Sequence, residues 1–329
     1  MPDRRQLLLV VITLVILCLP LIVQNTYFLG ILIVIGLYAI IAGGLGVLMG
    51  YAGQVSFGQA AFYGLGAYAA GILATRYHCP PLLCIAIAPL LPTLIALLIG
   101  RSILTLREHY LALATLGFGI LTFAFFNEFT ELTGGPSGLT GIPYLSIGSF
   151  VLDTDREYFY LVWLAFGLTL LGIANLTKSP VGRAFKAIHS SELAAEACGI
   201  NCASLKLQAF GLSAFLAGLA GSLYAFWVTF LGPSPFGFTA SMEFVLMVVV
   251  GGLGTLWGPL LGAVIIVGLA EFLRWAVPVV LPAAGGEFEI VFFGIIFVLI
   301  LLLRPQGILI PALNQKDRNR KMRDRQCSA

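Results

Sequence analysis

Long apolar segments, each bounded by polar residues or by Gly and Pro, recur along most of the chain. A helix needs about 20 mostly apolar residues to cross the hydrocarbon core of a bilayer, because its backbone groups must be satisfied within the segment itself. The pattern therefore predicts an all-α integral membrane protein with about ten transmembrane helices. The ten apolar runs are residues 7–23, 28–49, 57–75, 81–100, 109–127, 158–176, 207–231, 242–257, 259–275 and 288–303.

Two parts of this pattern allow a second interpretation. The first run follows a short polar start and resembles a signal peptide, but no small-residue cleavage site follows it, which favours a retained helix. The stretch from Glu243 to Trp275 is apolar except for an interruption at Gly251–Pro259. We divide it there into two spans, and a re-entrant pair is the alternative.

The composition supports a single transmembrane domain over residues 1–329. Hydrophobic residues make up 59% of the chain and charged residues 10%, against about 25% charged in a typical soluble domain. Many of the 38 glycines lie among Ala, Leu and Phe. Small residues recur at helical spacing in two runs, which indicates close helix packing, with a glycine-lined solute path as the alternative. They are Ala60, Gly64, Ala67 and Gly71 in one run, and Ala214, Gly218 and Ser222 in the other.

The distribution of Lys and Arg predicts the orientation, because cytoplasmic loops collect these residues. With the N-terminus inside and ten alternating spans, only Arg76, Arg156 and Arg274 of the 18 basic residues lie outside. Both termini are then cytoplasmic, including the basic tail at residues 316–329. Retention of the C-terminus inside is the simplest role for this tail, and contact with lipid headgroups is a second one.

Two loops are long enough for a function of their own. The outer loop, 128–157, is rich in Gly and Pro, which predicts turns. The inner loop, 177–206, contains good helix formers from Val181 to Ala197 and then Gly199 as a helix stop, so we expect a short cytoplasmic helix.

The sequence lacks two motifs that would indicate nucleotide or zinc-protease chemistry. No G-x-x-x-x-G-K-[ST] phosphate loop and no H-E-x-x-H motif occur, so nucleotide hydrolysis and zinc-protease chemistry are not expected. The six cysteines form no disulfide-like framework. Cys198 and Cys202 lie near His189 in sequence, but a soft-metal site would lack a fourth ligand. No metal, bound cofactor or nucleic-acid partner is predicted.

Charged residues crowd the outer ends of the predicted spans, as at Glu243, Glu271 and Arg274. Proton-coupled carriers place ionisable residues at membrane depth, so the pattern argues against proton coupling. A sodium-coupled carrier that binds ions through broken helices would still fit. An autonomous carrier or channel and a membrane enzyme are the rivals to a transporter subunit, although the enzyme would need an intramembrane catalytic cluster.

Polar side chains that could meet a solute are concentrated between the second and third runs. Gln54, Ser56 and Gln59 lie where the chain leaves one span and enters the next. They would either cap the start of the following helix or line a solute path.

Four motifs resemble those of the permeases of bacterial branched-chain amino-acid ABC importers, in particular the M-type permease of the leucine, isoleucine and valine system. The resemblance covers about residues 27–305. The motifs are GYAGQVSFGQAAF with GLGAY at 50–68, TGGPSGL at 133–139, GRAFKAI with Glu192 and GIN at 182–201, and GGLGTLWGP at 251–259.

This resemblance implies an assembly in the bacterial inner membrane. Its other members are a second related permease, two cytoplasmic ATPase subunits that use ATP and Mg, and an extracytoplasmic solute-binding protein that delivers the amino acid. The fold would be that of the ten-helix importer permeases. Permeases for urea, short-chain amides and other amino acids have similar motifs.

The resemblance also implies roles for individual residues. The ATPase-coupling motif of importers maps onto the end of the inner loop, and the outer turn would face the binding protein. The implied coupling residues are Arg183, Lys186, Glu192, Ala194, Ala195 and Gly199, and the implied outer-loop residues are Gly134, Gly135, Ser137 and Gly138.

Overall fold

A computed structural model describes residues 25–103, 108–147 and 150–280, together with the single positions 20 and 294. Apart from those two positions, the predicted spans 7–23 and 288–303 and the basic tail lie outside the described residues. The helices in the described part are α1 (Thr26–Gly46), α2 (Gln59–Arg76), α3 (Pro81–Ile87), α4 (Leu90–Ile103), α5 (Glu108–Glu128), α6 (Thr130–Thr133), α7 (Asp155–Lys178), α8 (Pro180–Ser190), α9 (Glu192–Ala197), α10 (Cys202–Val228), α11 (Phe238–Gly251) and α12 (Gly258–Val280).

Six helical stretches in the described part are long and apolar enough to cross a membrane, which confirms a multi-pass helical protein. The stretches are Thr26–Tyr51, Pro81–Ile103, Tyr110–Glu128, Asp155–Lys178, Cys202–Val228 and Gly258–Ala276. Each coincides with a predicted span. The predicted span 57–75 forms α2, whose Ala, Gly and Tyr residues make it less apolar than the other six.

Three central helices form the core, and the others surround them. In α1 and α10, 78% of the most apolar window is buried, whereas in α5 and α7 the share is 22%. α2 lies along α10, and α1 packs against α7, α10 and α12. Outer helices expose leucines at helical spacing, such as Leu94 and Leu98 on α4. A row of exposed apolar side chains suits contact with lipid.

Small residues allow α2 and α10 to approach closely. A Cβ atom on Gly66 would overlap the backbone of Gly218, and a Cβ atom on Gly221 would overlap the carbonyl group of Tyr63. Within the described residues these glycines meet backbone atoms, not open space. The close-packing interpretation of the small residues is therefore confirmed here.

The predicted break at Gly251–Pro259 is present, because α11 ends at Gly251 and α12 begins at Gly258. However, α11 has 14 residues, or about 21 Å at 1.5 Å per residue, which is shorter than a bilayer core of about 30 Å. The predicted span 242–257 is thus a shorter helix than expected.

Two further differences from the prediction concern the loops. A small antiparallel hairpin, β1 (Leu145–Ile147) with β2 (Phe150–Leu152), lies in the outer loop, so the described part is helical with one two-stranded exception. The single helix predicted over 181–197 is divided into α8 and α9. Ser191 has an extended backbone conformation there, and its hydroxyl accepts a hydrogen bond from the Ala194 N–H group, as an N-cap residue does.

Candidate functional site

The polar segment Ala52–Gly58, hereafter the polar break, separates α1 from α2 and runs from the side of α8 into the helical bundle. α1 ends in a π-helical turn at Val47–Tyr51, and α2 begins only at Gln59. The Gln59 side-chain amide donates a hydrogen bond to the carbonyl group of Ser213, which lies about 16 Å along α10 from its first residue. The start of α2 is therefore well inside the helical bundle.

Non-helical backbone at this depth is tolerated only where protein groups satisfy it, and hydroxyl side chains do so around the polar break. Two of them come from other helices, α5 and α11, so the break is fixed from several sides. The three hydrogen bonds run from Phe57 N–H to Thr115 Oγ1 at 3.1 Å, from Gly58 N–H to Ser56 Oγ at 3.4 Å, and from Ala60 N–H to Ser241 Oγ at 3.0 Å.

The three predicted path residues, Gln54, Ser56 and Gln59, are all buried. Ser56 accepts a hydrogen bond from the Gly58 N–H group, but Gly58 is the N-cap residue of α2 and no side chain of that residue caps the helix. Gln59 binds α10, so the predicted capping role is not present at these residues. Gln59 Oε1 is buried without a hydrogen-bond partner among the described residues. Such a group costs about 1–3 kcal/mol.

Sequence reasoning missed the partners of the polar break, namely Thr115, Ser213 and Ser241. Each is a hydroxyl residue within a long apolar run or at its edge. Their isolation among apolar neighbours was the available signal, because a lone hydroxyl in a span serves most simply as a hydrogen-bond partner.

Glu243 corrects the expectation that charged side chains lie at the ends of the spans. Its neighbour Phe244 packs edge-to-face against Tyr38, with ring centroids 5.1 Å apart, and Tyr38 lies near the middle of α1. Glu243 is therefore at membrane depth. Glu271 and Arg274, in contrast, form an ion pair at 2.8 Å near the outer end, where Glu271 also accepts a hydrogen bond from Tyr27.

The outer loop is a compact structure attached to the end of α10. Gly134, Gly135 and Gly138 all have positive φ angles, which glycine adopts without strain, as the turn-rich sequence predicted. Leu139 and Leu231 exchange backbone hydrogen bonds at 2.9 and 3.0 Å. Of the four predicted outer-loop residues, Ser137 alone is exposed. The three glycines shape the loop that presents it.

The segment from α8 to α9 lies at the opposite end of α10. Lys186 of α8 stacks over the ring of Tyr51, 5.6 Å from its centroid, and a Cβ atom on Gly53 would lie 2.8 Å from His189 Nδ1. α8 thus rests on the inner end of α1. Arg183 is exposed and donates a hydrogen bond to the carbonyl group of Lys178.

α9 has one face on α10 and one face exposed. Ala195 is buried against Ile188 and Cys202, so it faces inward and does not form part of a free surface. Ala194 is exposed, and Leu193 is 81% exposed, the highest exposure among the large apolar side chains of the described part. Gly199 ends the segment with a φ angle of +80°, as expected for a helix stop.

An ion pair joins α9 to α10. Lys206 Nζ lies 2.6 Å from both carboxylate oxygens of Glu192, and the Lys206 side chain is 9% exposed. Breaking such a pair strands a buried charge. The pairing of Lys206 with Glu192 was not predictable from local sequence, because the two residues are on different helices.

The sequence predicted no metal site, and Cys198 and His189 are not part of the one group of potential ligands that comes together among the described residues. The group that approaches within 4.8 Å consists of Glu192, Glu196 and Cys202. The ammonium group of Lys206 already binds the Glu192 carboxylate, so a cation would have to compete with it.

A cavity of about 320 Å³ lies at the outer end, between α1, α10 and α12. Tyr27, Ile31 and Trp227 provide apolar and aromatic walls. Asp155 accepts a hydrogen bond from Trp227 Nε1 at 2.9 Å, and Glu271 is engaged by Tyr27 and Arg274. The carboxylates here hold the outer ends of the helices together.

The sequence is similar to known proteins over most of its length. Residues 27–301 match the family described as branched-chain amino acid transport system / permease component. The chain is 33% identical to the high-affinity branched-chain amino acid transport system permease protein LivM of Escherichia coli, over 83% of this chain and 68% of that protein. No solved structure gives a significant match.

Two other relatives are more distant. Identity is 24% to the permease protein LivH of Salmonella typhimurium, over 83% of this chain and 91% of that protein. It is 26% to BraD of Pseudomonas aeruginosa, over 83% and 91%. The higher identity to LivM confirms the expected M-type. The chain belongs to the family of branched-chain amino-acid transport system permease components.

Proposed function

We propose that this chain is a membrane-spanning permease subunit of an ATP-binding cassette importer for leucine, isoleucine and valine in the bacterial inner membrane. The observation that carries the proposal is the 33% identity to LivM over 83% of this chain, together with the family match over residues 27–301. The chain would cross the membrane ten times with both termini in the cytoplasm. It would pair with a second related permease, and two ATPase subunits would supply the energy from ATP and Mg. A solute-binding protein would deliver the amino acid.

The 177–206 segment is the proposed docking site for an ATPase subunit. α9 exposes Leu193 and Ala194, while Arg183 and Glu192 would supply rim charges that fix register more than they add affinity. Lys186 and Ala195 hold the segment in place from within, and Gly199 ends it. An exposed Leu beside small residues fits an apolar pocket, which is where binding energy concentrates.

The polar break is the proposed solute path, and the outer loop is the proposed surface for the binding protein. Gln54, Ser56 and Gln59 would meet the solute when α2 and α10 separate, because polar groups at membrane depth then become accessible. Ser137, held by Gly134, Gly135 and Gly138, would contact the binding protein.

The test is reconstitution of the purified complex in liposomes with its binding protein. We expect leucine uptake that requires ATP inside, and we expect Leu193→Ala to lose ATPase subunits during purification. The exposed Leu164 of α7 provides the control, Leu164→Ala, which should retain them. Uptake by this chain alone under an ion gradient would instead establish an autonomous carrier, and uptake of urea or an amide in preference to leucine would change the substrate.

A Gln59→Ala variant tests the solute path in the same liposomes. We expect uptake to fall about tenfold, since a hydrogen-bonding group that meets the solute is worth about 1–2 kcal/mol. Gln208 lies on the same helix as Ser213 but is exposed, so Gln208→Ala is the control. Equal uptake by the two variants would show that Gln59 does not contact the solute and has a structural role only.

A further inference from the structure

Three serine hydroxyl groups meet three consecutive residues at the start of α2. One comes from the polar break, one from α10 and one from α11, so they converge from different parts of the chain. The three serines are at most 1% exposed. The hydrogen bonds run from Gly58 N–H to Ser56 Oγ, from the Gln59 side-chain amide to Ser213 Oγ, and from Ala60 N–H to Ser241 Oγ.

Each of these hydroxyl groups accepts a hydrogen bond but donates none within the described part of the chain. A serine hydroxyl carries one donor hydrogen, so three buried donors converge here without an acceptor. Ser222 of α10 behaves differently, because its hydroxyl donates to the carbonyl group of Leu219 in its own helix. A buried polar group without its partner is costly. Three such donors at one place indicate that an acceptor which the described residues do not supply binds there.

The first turn of α2 adds backbone donors. Of its first three N–H groups, only that of Ala60 has an acceptor in the part that the structure describes. The helix has 18 residues, its N-cap residue Gly58 provides no side-chain cap, and no acidic residue lies in its first turn. A helix N-terminus carries a partial positive charge, and its free N–H groups bind anions. Hydroxyl and backbone donors together therefore favour a small anion such as a carboxylate.

The Gln59 side chain supplies an acceptor at the same place. Its amide nitrogen is held by Ser213, while Oε1 is buried and has no donor among the described residues. An amide oxygen accepts hydrogen bonds, so it is complementary to an ammonium group. A free α-amino acid carries a carboxylate and an ammonium group on one carbon atom. Its two charged groups would therefore match the donors at the start of α2 and the Gln59 oxygen beside them.

We propose that the start of α2 binds the carboxylate of the transported amino acid through the three serine hydroxyls and the first N–H groups of the helix, and that Gln59 Oε1 binds its ammonium group. This inference rests on the proposed function, because it takes the solute to be an amino acid. The bond between Gln59 and Ser213 joins α2 to α10. Separation of these two helices, as proposed above, would free both side chains for the solute.

Ligand competition tests the chemistry of this site without the binding protein. Saturation-transfer NMR of the purified permease–ATPase complex, with ADP and in the vanadate-trapped state, measures leucine binding and its displacement by two analogues. Isocaproate keeps the carboxylate of leucine and lacks the amine, whereas isoamylamine keeps the amine and lacks the carboxylate. We expect isocaproate to displace leucine about tenfold more effectively than isoamylamine, because the carboxylate meets several donors and the ammonium group one acceptor.

Ser213→Ala tests the hydroxyl donors. The Gln59 amide keeps its bond to the Ser213 carbonyl group at 3.3 Å, so the fold should persist, and an unchanged melting temperature checks this. Loss of one hydrogen bond to a charged group should weaken isocaproate binding about tenfold and leave isoamylamine binding unchanged. Ser241→Ala is a second variant with the same expectation. Ser222→Ala removes an equally buried hydroxyl of α10 and is the matched control, which should bind both analogues as the wild type does.

The outcomes separate the two proposals. Absence of ATP-dependent leucine uptake in liposomes by the wild-type complex would overturn the proposed function and this inference with it. Normal uptake would leave the proposed function intact, and the carboxylate site alone would then be wrong in either of two cases. One is that isoamylamine displaces leucine as well as isocaproate does, or that neither state of the complex binds leucine. The other is that Ser213→Ala and Ser241→Ala bind isocaproate normally, or lose both analogues equally, because the hydroxyls would then not select the carboxylate.

Discussion

Gly66 and Gly218 meet at the crossing of α2 and α10, where a single hydrogen atom is the largest side chain that fits. Gly117 of α5 offers a contrast, since a Cβ atom there would meet no other atom within 4 Å. Gly66 and Gly117 both lie in the middle of apolar helices, and their local sequences do not distinguish them. The difference between them arises entirely from which helix faces which.

This contrast gives the first prediction. Gly66→Val should destabilise the protein by about 1–3 kcal/mol, the range for overpacked positions, because the added atoms meet backbone that cannot rotate away. Gly117→Val should change stability by less than about 1 kcal/mol, since helix propensity alone is affected. Thermal unfolding of both variants in the same detergent provides the measurement. Similar melting temperatures would show that α2 and α10 do not cross as described.

Local geometry was predictable from sequence where it depends on one residue type. Gly134, Gly138 and Gly199 all adopt the positive φ angles that their turn positions implied. The bond between Gln59 and Ser213 was not predictable, because its two partners are separated by 154 residues. No local pattern specifies such a pair, and burial of Ala195 was missed for the same reason.

At the scale of elements, apolar runs predicted the long helices in the described part. The prediction was wrong where a polar side chain competes with the helix for backbone hydrogen bonds. Ser191 divides the predicted helix 181–197, since its hydroxyl binds a backbone N–H group more easily outside a helix than within one. As a result the two short helices have different partners. α8 rests on α1, whereas α9 is joined to α10 through Glu192 and Lys206.

The second prediction concerns that ion pair. Glu192→Gln should loosen α9 from α10 and speed amide hydrogen exchange in α9 about tenfold, because a hydrogen bond to a charged group contributes about 1.5–3 kcal/mol. Glu196→Gln removes the same charge one turn later without touching Lys206, and it should leave exchange unchanged. The measurement is mass spectrometry of peptides covering 192–199 from the full chain in lipid nanodiscs.

Exchanging the two charges provides the control for this ion pair. The double variant Glu192→Lys with Lys206→Glu should restore slow exchange, since the opposite charges again meet. Equal exchange rates for Glu192→Gln and Glu196→Gln would show that packing of Ile188, Ala195 and Cys202 holds α9 without help from the ion pair.

The third prediction separates the shape of the outer loop from its contact surface. Ser137→Trp should lower stimulation of ATP hydrolysis by the binding protein while the protein remains folded, because the new side chain extends into solvent. Gly135→Val should instead destabilise the loop, since its φ angle is +60° and its Cβ atom would lie 2.7 Å from Thr130.

Two measurements distinguish these outer-loop variants. Limited proteolysis of the detergent-solubilised protein reports the loop, and we expect faster cleavage near 130–145 for Gly135→Val only. ATP hydrolysis at increasing concentrations of binding protein reports the contact. Normal stimulation of the Ser137→Trp complex would place the contact surface elsewhere.

At the scale of the whole molecule, α10 determines which functional segments are far apart. It has 27 residues and is about 40 Å long, with the α8–α9 segment at its first turn and the outer loop at its last. α1 agrees with this arrangement, because Gly50 and Tyr51 at its inner end lie near Gly254 and Lys186. From this arrangement the positive-inside rule predicts that the α8–α9 end is cytoplasmic.

The last prediction is that the two ends of α10 lie on opposite faces of the membrane. Cys198 is a free, exposed thiol in the α8–α9 segment, and Ser137→Cys places a thiol on the outer loop. Each test chain carries one of these thiols as its single cysteine. A membrane-impermeant maleimide should label Ser137→Cys in intact cells and Cys198 only after permeabilisation. His189→Cys should behave as Cys198 does, because both lie in the same segment. Labelling of Cys198 from outside would reverse the orientation. Labelling of both thiols in intact cells would mean that α10 does not cross the membrane, and the coupling and binding-protein surfaces proposed for its two ends would then be wrong together.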